Sequence, residues 1–351
     1  MGAERNTSDS ASGQRKVVLS VEDLQTHFPI RKGFFKRLTG WIKAVDGVRF
    51  QIREGETVSL VGESGCGKST TAKSIVRAVE PRGGKILYTC RDGRVEDVVS
   101  VTHQRLRAVR QEVRMIFQDP FQSLNPRFTI RDIIGEPLRN YGMASGAVLK
   151  ERVAELLSDV GLNPQHMGRY PHAFSGGQRQ RIGLARALAL GPRLLLADEP
   201  TSALDVSVQA QILNLMQKLQ NEHGLSYLFI THELGIVRHF SDRCGVMYLG
   251  RIVEMGETAD LFKKPLHPYT EALLSAAPVP NPRMAAERIV LEGDVPDPAD
   301  APPGCPFHTR CRYVKDRCRS EVPPLEPLEE GSAHTVACHY AAELDLKGAR
   351  W

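Results

Sequence analysis

The stretch TVSLVGESGCGKST, residues 57–70, decides the fold of this chain. Its first six residues are rich in apolar and β-branched side chains, which predicts a buried strand, and a helical pattern follows over residues 69–80. Between them, residues 62–69 match the pattern G-x-x-x-x-G-K-[ST] without a gap. Glycines in such a turn let backbone N–H groups converge on phosphate oxygens at a helix N-terminus. The predicted nucleotide-binding positions are Gly62, Glu63, Ser64, Gly65, Cys66, Gly67, Lys68, Ser69 and Thr70.

Two side chains of this loop have predicted roles, and a second motif supplies their partners. Lys68 is placed to reach the β- and γ-phosphates, and the Ser69 hydroxyl is placed to ligate Mg²⁺. The sequence LLLADE, residues 194–199, predicts an apolar strand that ends in two carboxylates. Ligands bind at the carboxyl edge of a parallel sheet. We therefore assign Asp198 to the Mg²⁺ site and Glu199 to polarising the attacking water.

A second glycine-rich helix start follows Phe174, at Ser175, Gly176, Gly177 and Gln178. The same helix-dipole argument makes it an anion site. One nucleotide does not need two such cradles from one chain, so this one is expected to serve a nucleotide held by another subunit. The alternative is a plain helix N-cap formed by Ser175.

Strand patterns that alternate with helical ones predict an α/β fold, with a mostly parallel sheet covered by helices on both faces. Strands are expected at 17–24, 45–52, 57–62, 113–119, 193–199, 226–232 and 243–250, and helices at 147–160, 178–190 and 206–221. We expect a disordered tail over 1–16, a core domain over 17–260 with an inserted helical subdomain at about 119–190, and a proline-rich extension over 261–351.

Composition excludes several classes of protein. No apolar run approaches the roughly 20 residues of a membrane span, and residues 1–16 lack the apolar segment of a secretory signal. The net charge is +5 over 351 residues, and the basic residues are not massed in one stretch. We therefore expect no nucleic-acid partner.

Four of the seven cysteines lie close together, with the spacing Cys305-x5-Cys311-x6-Cys318-x19-Cys338. Four thiols within 34 residues favour a metal site over disulfides in a reducing compartment. The spacing differs from the C-x2-C pairs of common zinc ribbons. Zn²⁺, an iron–sulfur cluster and free thiols all stay open on this argument. A metal here is expected to staple the extension and to leave ATP binding to the core domain.

In this order the motifs resemble those of the ATP-binding subunits of ABC transporters, over roughly residues 17–345. The resemblance implies a P-loop ATPase whose fold is that of the core domain. It implies that Gln118 senses Mg²⁺ and the membrane partner, that His232 contacts the γ-phosphate, and that Asp205 lies in the loop that meets the opposite subunit. It also implies that Phe28 is the platform for adenine. Residues 174–178 resemble the family's signature motif. Phe174 stands where that motif usually has leucine, and we expect little effect because both side chains are apolar.

Finer resemblance points to the peptide-importing branch, through residues 118–127 (QDPFQSLNPR), 267–270 (HPYT) and 305–311 (CPFHTRC). It implies import of oligopeptides or dipeptides, a [4Fe–4S] cluster on the four cysteines, and a position at the cytoplasmic face of the cell membrane. The implied partners are a second, related ATPase chain, two integral membrane permeases and an extracytoplasmic binding protein. Nickel importers belong to the same branch, and a soluble ATPase without a transport role is a further alternative.

Overall fold

The structure is a computed structural model that describes residues 15–33, 37–118, 124–277 and 288–349. The predicted tail, apart from residues 15 and 16, and residues 119–123 of the motif after Gln118 lie outside these ranges. Within the four ranges, no helix has both the length and the apolar character needed to cross a membrane.

The main sheet is built around five parallel strands. They are β3 (Thr57–Val61), β6 (Val113–Ile116), β7 (Leu194–Asp198), β8 (Ser226–Ile230) and β9 (Arg243–Tyr248). Three antiparallel strands continue its β9 edge: β10 (Arg251–Glu257), β12 (Thr335–Val336) and β11 (Glu326–Pro327). The spatial order is β11-β12-β10-β9-β3-β8-β7-β6. The α/β fold and the parallel core are therefore confirmed.

A second, antiparallel sheet corrects one expectation. β1 (Val17–Lys32), β2 (Arg37–Arg53), β4 (Gly83–Thr89) and β5 (Val95–Asp97) form it in the order β2-β1-β4-β5. The strands predicted at 17–24 and 45–52 belong to β1 and β2, which are longer than expected and pair with each other rather than joining the parallel sheet. The physical reason is the short connection between them, because parallel neighbours need a crossover of a dozen or more residues.

The helices lie close to their predicted positions, with one shorter than expected. The helix after the phosphate loop ends at Ile75 rather than near residue 80, and Arg77 takes a left-handed φ of 53° that no helix continues through. The helices are α1 (Lys68–Ile75), α2 (His103–Glu112), α3 (Ile130–Asn140), α4 (Gly146–Asp159), α5 (Gly176–Leu188), α6 (Val206–His223), α7 (Leu234–Phe240), α8 (Thr258–Lys263), α9 (Pro268–Ala276) and α10 (Asp316–Ser320).

Both faces of the parallel strands are buried, and alternate residues face different layers. On β7, Leu195 and Ala197 pack in a cluster with helices α3 to α6. Leu194 and Leu196 pack instead with α1, α2 and the antiparallel sheet. One face of the parallel core is thus covered largely by a second sheet, where the sequence predicted helices.

The segment beyond residue 260 is fastened to the main sheet through a buried carboxylate on β10. Glu254 is fully buried, and its side chain accepts hydrogen bonds from the backbone N–H groups of Leu266 at 2.8 Å and His267 at 2.9 Å. His334 Nε2 lies 2.8 Å from the same carboxylate. Burial of an unpaired charge is costly, and these three partners offset that cost for the carboxylate of Glu254. They also join two distant segments, one at residues 266–267 and one at His334, to strand β10.

Replacing Glu254 with Ala should lower the free energy of unfolding by about 3–5 kcal/mol, because buried donors lose their common acceptor. Denaturant unfolding of the full chain measures the change. Glu343→Ala is the control, since Glu343 is exposed and pairs with Lys315 at the surface. It should show no measurable change. A loss below about 1 kcal/mol for Glu254→Ala would contradict the buried anchor.

Candidate active site

The phosphate loop is shaped by two glycines that no other residue could replace without displacing backbone. Gly62 has a φ of 148°, and a Cβ there would lie 2.2 Å from the carbonyl oxygen of Met247. Gly67 has a φ of 106°, and its Cβ would lie 2.2 Å from the carbonyl oxygen of Ala44. These close approaches lock the loop between β9 and β2. The residues predicted to bind phosphate, 62–70, thus form a tight loop that leads into α1.

Lys68 is buried beneath this loop, and its ammonium group is bound by the loop itself. Nζ donates to the carbonyl oxygens of Gly62 at 2.7 Å and Glu63 at 2.9 Å. With only 6% of the residue exposed, the charge is held in place by these two acceptors. This arrangement holds the ammonium group beside the loop that precedes α1. Helix N-termini of this kind bind phosphate oxygens.

Ser69 and Asp198 meet as the sequence predicts. The Ser69 hydroxyl donates to Asp198 Oδ1 at 2.7 Å and joins the start of α1 to the end of β7. Burial raises the pKa of Asp198 above its usual value, although the hydrogen bond from Ser69 acts in the opposite direction. Hydroxyl and carboxylate oxygens are the ligands that Mg²⁺ prefers, so this pair fits the expected ion.

Three predicted side chains converge next to that pair. Gln118 Nε2 donates to Glu199 Oε2 at 2.8 Å, and His232 Nδ1 lies 3.1 Å from Glu199 Oε1. The Glu199 side chain is 17% exposed and His232 is 56% exposed, so water reaches the group. We name Gln118, Glu199 and His232 the catalytic triplet. It combines a carboxylate able to polarise water with two side chains able to bind a phosphate.

The backbone of Glu199 explains how the carboxylate is aimed. Its φ is 45°, in the left-handed region that costs non-glycine residues energy, and its N–H donates to the carbonyl oxygen of Ile230 at 2.9 Å. The bend begins directly after the last residue of β7, where the chain leaves the sheet. Strain at such a position is typical of functional residues.

The signature residues form a helix cap, and they lie apart from the phosphate loop. Ser175 Oγ accepts from the N–H of Gln178, while Gln178 Oε1 accepts from the N–H of Ser175. Both side chains are exposed. Among the hydrogen bonds of the described residues, none joins this loop to residues 62–70. The N-cap predicted as an alternative is thus present, on a surface that is open to solvent.

Asp205 and Phe28 occupy positions that the sequence left less defined. Asp205 caps α6 by accepting from the N–H of Val208 at 3.0 Å, and Val208 lies against Gly177 of the signature. Phe28 is 38% exposed on β1 and pairs with Ile42 on β2. That pair lies two residues from Ala44, which contacts Gly67. Phe28 therefore lies on the strand pair whose β2 strand contacts the loop.

A cavity of about 590 Å³ lies behind the catalytic triplet. Gln118 and Asp198 line one side of it, and Glu136 and Tyr141 of the α3 region line another. Residues 62–70 do not contribute to its lining, so it is distinct from the phosphate cradle.

The four cysteines of the extension come together. All four line one cavity of about 20 Å³. Burial raises the pKa of the Cys305 thiol to about 12 and that of Cys311 to about 11, and the neighbouring thiols add to each rise. Yet nowhere in the described chain are three or more His, Cys, Asp or Glu side chains grouped to hold a metal ion. Binding any metal would require these thiols to lose protons.

Sequence reasoning missed one contact with the phosphate loop. Arg310, between Cys305 and Cys311, forms an ion pair with Glu63, with Nη1 and Oε2 2.8 Å apart. The residues are 247 positions apart, so neither periodicity nor motif spacing could have paired them. Only the sequence CPFHTRC itself, singled out at 305–311, marked this segment as unusual.

Comparison with known proteins agrees with this geometry. Residues 45–202 match the ABC transporter family, and residues 253–318 match the C-terminal region of oligopeptide/dipeptide transporters. The fold resembles the dimeric structure of the ATP-binding cassette MJ0796 in a post-hydrolysis state, bound to ADP and Pi. The TM-score is 0.58 at 28% identity, covering 68% of this chain and 98% of that one.

Similar full-length sequences carry the match along nearly the whole chain. The oligopeptide transport ATP-binding protein AppF of Bacillus subtilis is 51% identical, over 93% of this chain and 98% of its own length. OppF of Salmonella typhimurium is 48% identical, over 93% and 96% respectively. The di/tripeptide transport ATP-binding protein DppF of Pseudomonas aeruginosa is 46% identical, over 93% and 99%. The chain therefore belongs to the ATP-binding subunits of ABC transporters, in the oligopeptide and dipeptide transporter branch.

Proposed function

We propose that this chain hydrolyses ATP to power import of oligopeptides or dipeptides across the cell membrane. The observation that carries the proposal is the convergence of the phosphate loop, the Ser69–Asp198 pair and the catalytic triplet at one sheet edge. The match of residues 253–318 supports a peptide rather than a nickel cargo. It also argues against the alternative of a soluble ATPase without a transport role.

In the proposed mechanism, Lys68 and the loop N–H groups bind the β- and γ-phosphates. Ser69 and Asp198, with Gln118 nearby, would hold Mg²⁺, which neutralises charge that develops on the phosphates. Glu199 accepts a hydrogen bond from the attacking water and orients it toward the γ-phosphate. For this, both Gln118 and His232 have to release Glu199, and His232 then binds the γ-phosphate.

The site is proposed to be shared between two ATPase chains. The signature residues 175–178 face solvent and form no hydrogen bond to their own phosphate loop among the described residues, which supports a role toward a partner's nucleotide. Asp205 lies beside them and would meet the opposite subunit. The partner is a second, related ATPase chain, and the dimeric form of the MJ0796 cassette supports such a pairing.

The membrane partners are proposed to bind beside the catalytic triplet. Two integral permeases would contact the 119–145 region, where the cavity of about 590 Å³ is lined by Glu136, Asn140 and Tyr141. Gln118 belongs to both the cavity and the triplet, which gives the permeases a direct route to hydrolysis. The subunit would then sit at the cytoplasmic face of the membrane, and an extracytoplasmic binding protein would deliver the peptide.

The chain is proposed to divide as its sequence indicates. The tail covers residues 1–16, the ATPase domain 17–260 with its helical subdomain at about 119–190, and the extension 261–351. The position of α3, α4 and α5 between β6 and β7 supports the inserted subdomain. The extension is not isolated, since β11 and β12 continue the main sheet.

We propose further that Cys305, Cys311, Cys318 and Cys338 hold a [4Fe–4S] cluster. The four thiols line one cavity but are not grouped for a metal ion. The resemblance of residues 305–311 to the peptide-importing branch, and not the arrangement of the thiols, is what favours the cluster over Zn²⁺. Its role would be structural, because four thiolates leave no open position for chemistry.

Replacing Glu199 with Gln should preserve ATP binding and reduce steady-state hydrolysis by a factor on the order of 10²–10⁴, because the water-orienting carboxylate is lost. Phosphate release by the assembled transporter measures it. Glu233→Gln is the matched control, a nearby carboxylate that contacts Gln209, and should keep near-normal turnover. Near-normal turnover of Glu199→Gln would remove Glu199 from the mechanism.

The isolated chain should hydrolyse ATP slowly, since its own signature cannot complete its own site. Adding the second ATPase chain and the permeases should raise the rate. Hydrolysis is compared before and after reconstitution at equal concentration of this chain. Full activity of the isolated monomer, unchanged by partners, would argue against a shared site.

Protein purified without oxygen should be brown and should contain about four iron atoms and four sulfides per chain. Metal analysis and the absorption spectrum measure this. Cys318→Ser should lose the colour, whereas Cys90→Ser, outside the cysteine group, should keep it. Stoichiometric zinc without iron would refute the cluster while leaving a metal staple. Absence of any metal from fresh anaerobic protein would refute both.

A further inference from the structure

The loop between Cys305 and Cys311 contacts the phosphate loop directly. Arg310 Nη1 lies 2.8 Å from Glu63 Oε2 and Nη2 lies 3.3 Å from Oε1, which makes a two-point ion pair. The Arg310 side chain is 8% exposed and that of Glu63 is 29% exposed. A planar two-point pair fixes the direction of a carboxylate as well as its position. The extension thereby holds the side chain of the second residue of the cradle.

The backbone of Glu63 is also hydrogen-bonded, and two of its contacts reach Tyr269 and Lys68. Its N–H donates to the hydroxyl oxygen of Tyr269 on α9 at 2.8 Å. Its carbonyl oxygen accepts from Lys68 Nζ at 2.9 Å. Lys68 Nζ also donates to the carbonyl oxygen of Gly62, so the peptide units on both sides of the Glu63 Cα help to hold the ammonium group of the phosphate-binding lysine. Arg310 constrains the same residue by binding the side chain of Glu63.

The turn that carries Arg310 is held in place by buried aromatic packing. Phe307 is almost fully buried, and its ring centroid lies 5.3 Å from that of Tyr248 on β9 and 5.3 Å from that of Tyr269. The N–H of Arg310 donates to the carbonyl oxygen of Phe307, and the N–H of Cys305 donates to that of Cys318. Arg310 is thus carried on a short hydrogen-bonded turn that is wedged into the core.

The buried charge of Arg310 requires the carboxylate of Glu63 as its counter-ion. Burial alone would lower the pKa of the guanidinium, but its hydrogen bonds, above all to Glu63, outweigh burial and hold the pKa above its ordinary value. Removing Glu63 would leave a nearly buried cation without its counter-ion. The two side chains therefore stabilise each other.

We propose that Arg310 is a positioning residue for the nucleotide, holding Glu63 and through it Lys68, so that ATP affinity depends on the packing of the cysteine-containing turn. This inference rests on the proposed ATP site. It revises the expectation that loosening the extension leaves ATP binding intact, because the turn between two of the cysteines ends on the phosphate loop.

Binding of a fluorescent ATP analogue to the full chain with Mg²⁺ tests the proposal. Arg310→Ala should raise the Kd roughly tenfold, equivalent to about 1.4 kcal/mol. Glu63→Gln should raise it similarly, and the double variant should be no weaker than either single one, since both remove the same link. Arg310→Lys should restore part of the affinity. Arg317→Ala, in an exposed pair with Glu321 of the same extension, is the control and should not change the Kd.

Two further readouts separate positioning from general destabilisation. In the reconstituted transporter, Arg310→Ala should raise KM more than it lowers kcat, the reverse of Glu199→Gln. Cys311→Ser should weaken binding in the wild-type background but not in Arg310→Ala. A Kd within twofold of wild type for folded Arg310→Ala, or additive effects in the double variant, would overturn the inference. If the wild-type chain itself bound no nucleotide, the proposed function would fail instead.

Discussion

The parallel alignment of β3, β8, β7 and β6 is the constraint on which the site depends. Paired in register, with Leu60 and Asp198 both opposite Ile230 and Ala197 opposite Ile116, these strands end at one edge of the sheet. Four separate segments of the chain reach this edge. They carry the phosphate loop, the two carboxylates, His232 and Gln118. Strands that are buried on both faces cannot slip by one residue without turning apolar side chains to the wrong layer, so this edge is held in register.

Within that edge, the polar side chains of the site are hydrogen-bonded to one another or to the loop backbone. Lys68 is bound by loop carbonyls, Ser69 by Asp198, and Glu199 by Gln118 and His232. Each of these contacts occupies a group that phosphate, Mg²⁺ or water would use. In the proposed mechanism, ATP binding exchanges these internal hydrogen bonds for bonds to the ligand. The proposed nucleotide site and the proposed permease surface share one side chain, Gln118, which also lines the cavity.

The C-terminal extension enters this network from the opposite side. Glu254 anchors its beginning and the segment around His334 on β10, while the turn that carries Phe307 and Arg310 ends on Glu63. A metal bound at the four cysteines would order the extension. That order would reach the phosphate loop through the buried packing of Phe307 and the ion pair between Arg310 and Glu63. Such a connection needs no movement of the main sheet, because Arg310 contacts Glu63 of the phosphate loop directly.

The sequence by itself determined the phosphate loop, the carboxylates at the end of β7, the helices of the 119–190 region and the clustering of four cysteines, because each is a local pattern whose chemistry lies within a few residues. It did not determine that β1 and β2 form a separate sheet, since apolar strand patterns look alike in parallel and antiparallel pairs. Nor did it determine that Glu63 meets Arg310, 247 residues away, or that Glu254 meets His334, 80 residues away. Those pairings follow from which surfaces the packed layers bring together, and only the tertiary structure decides that.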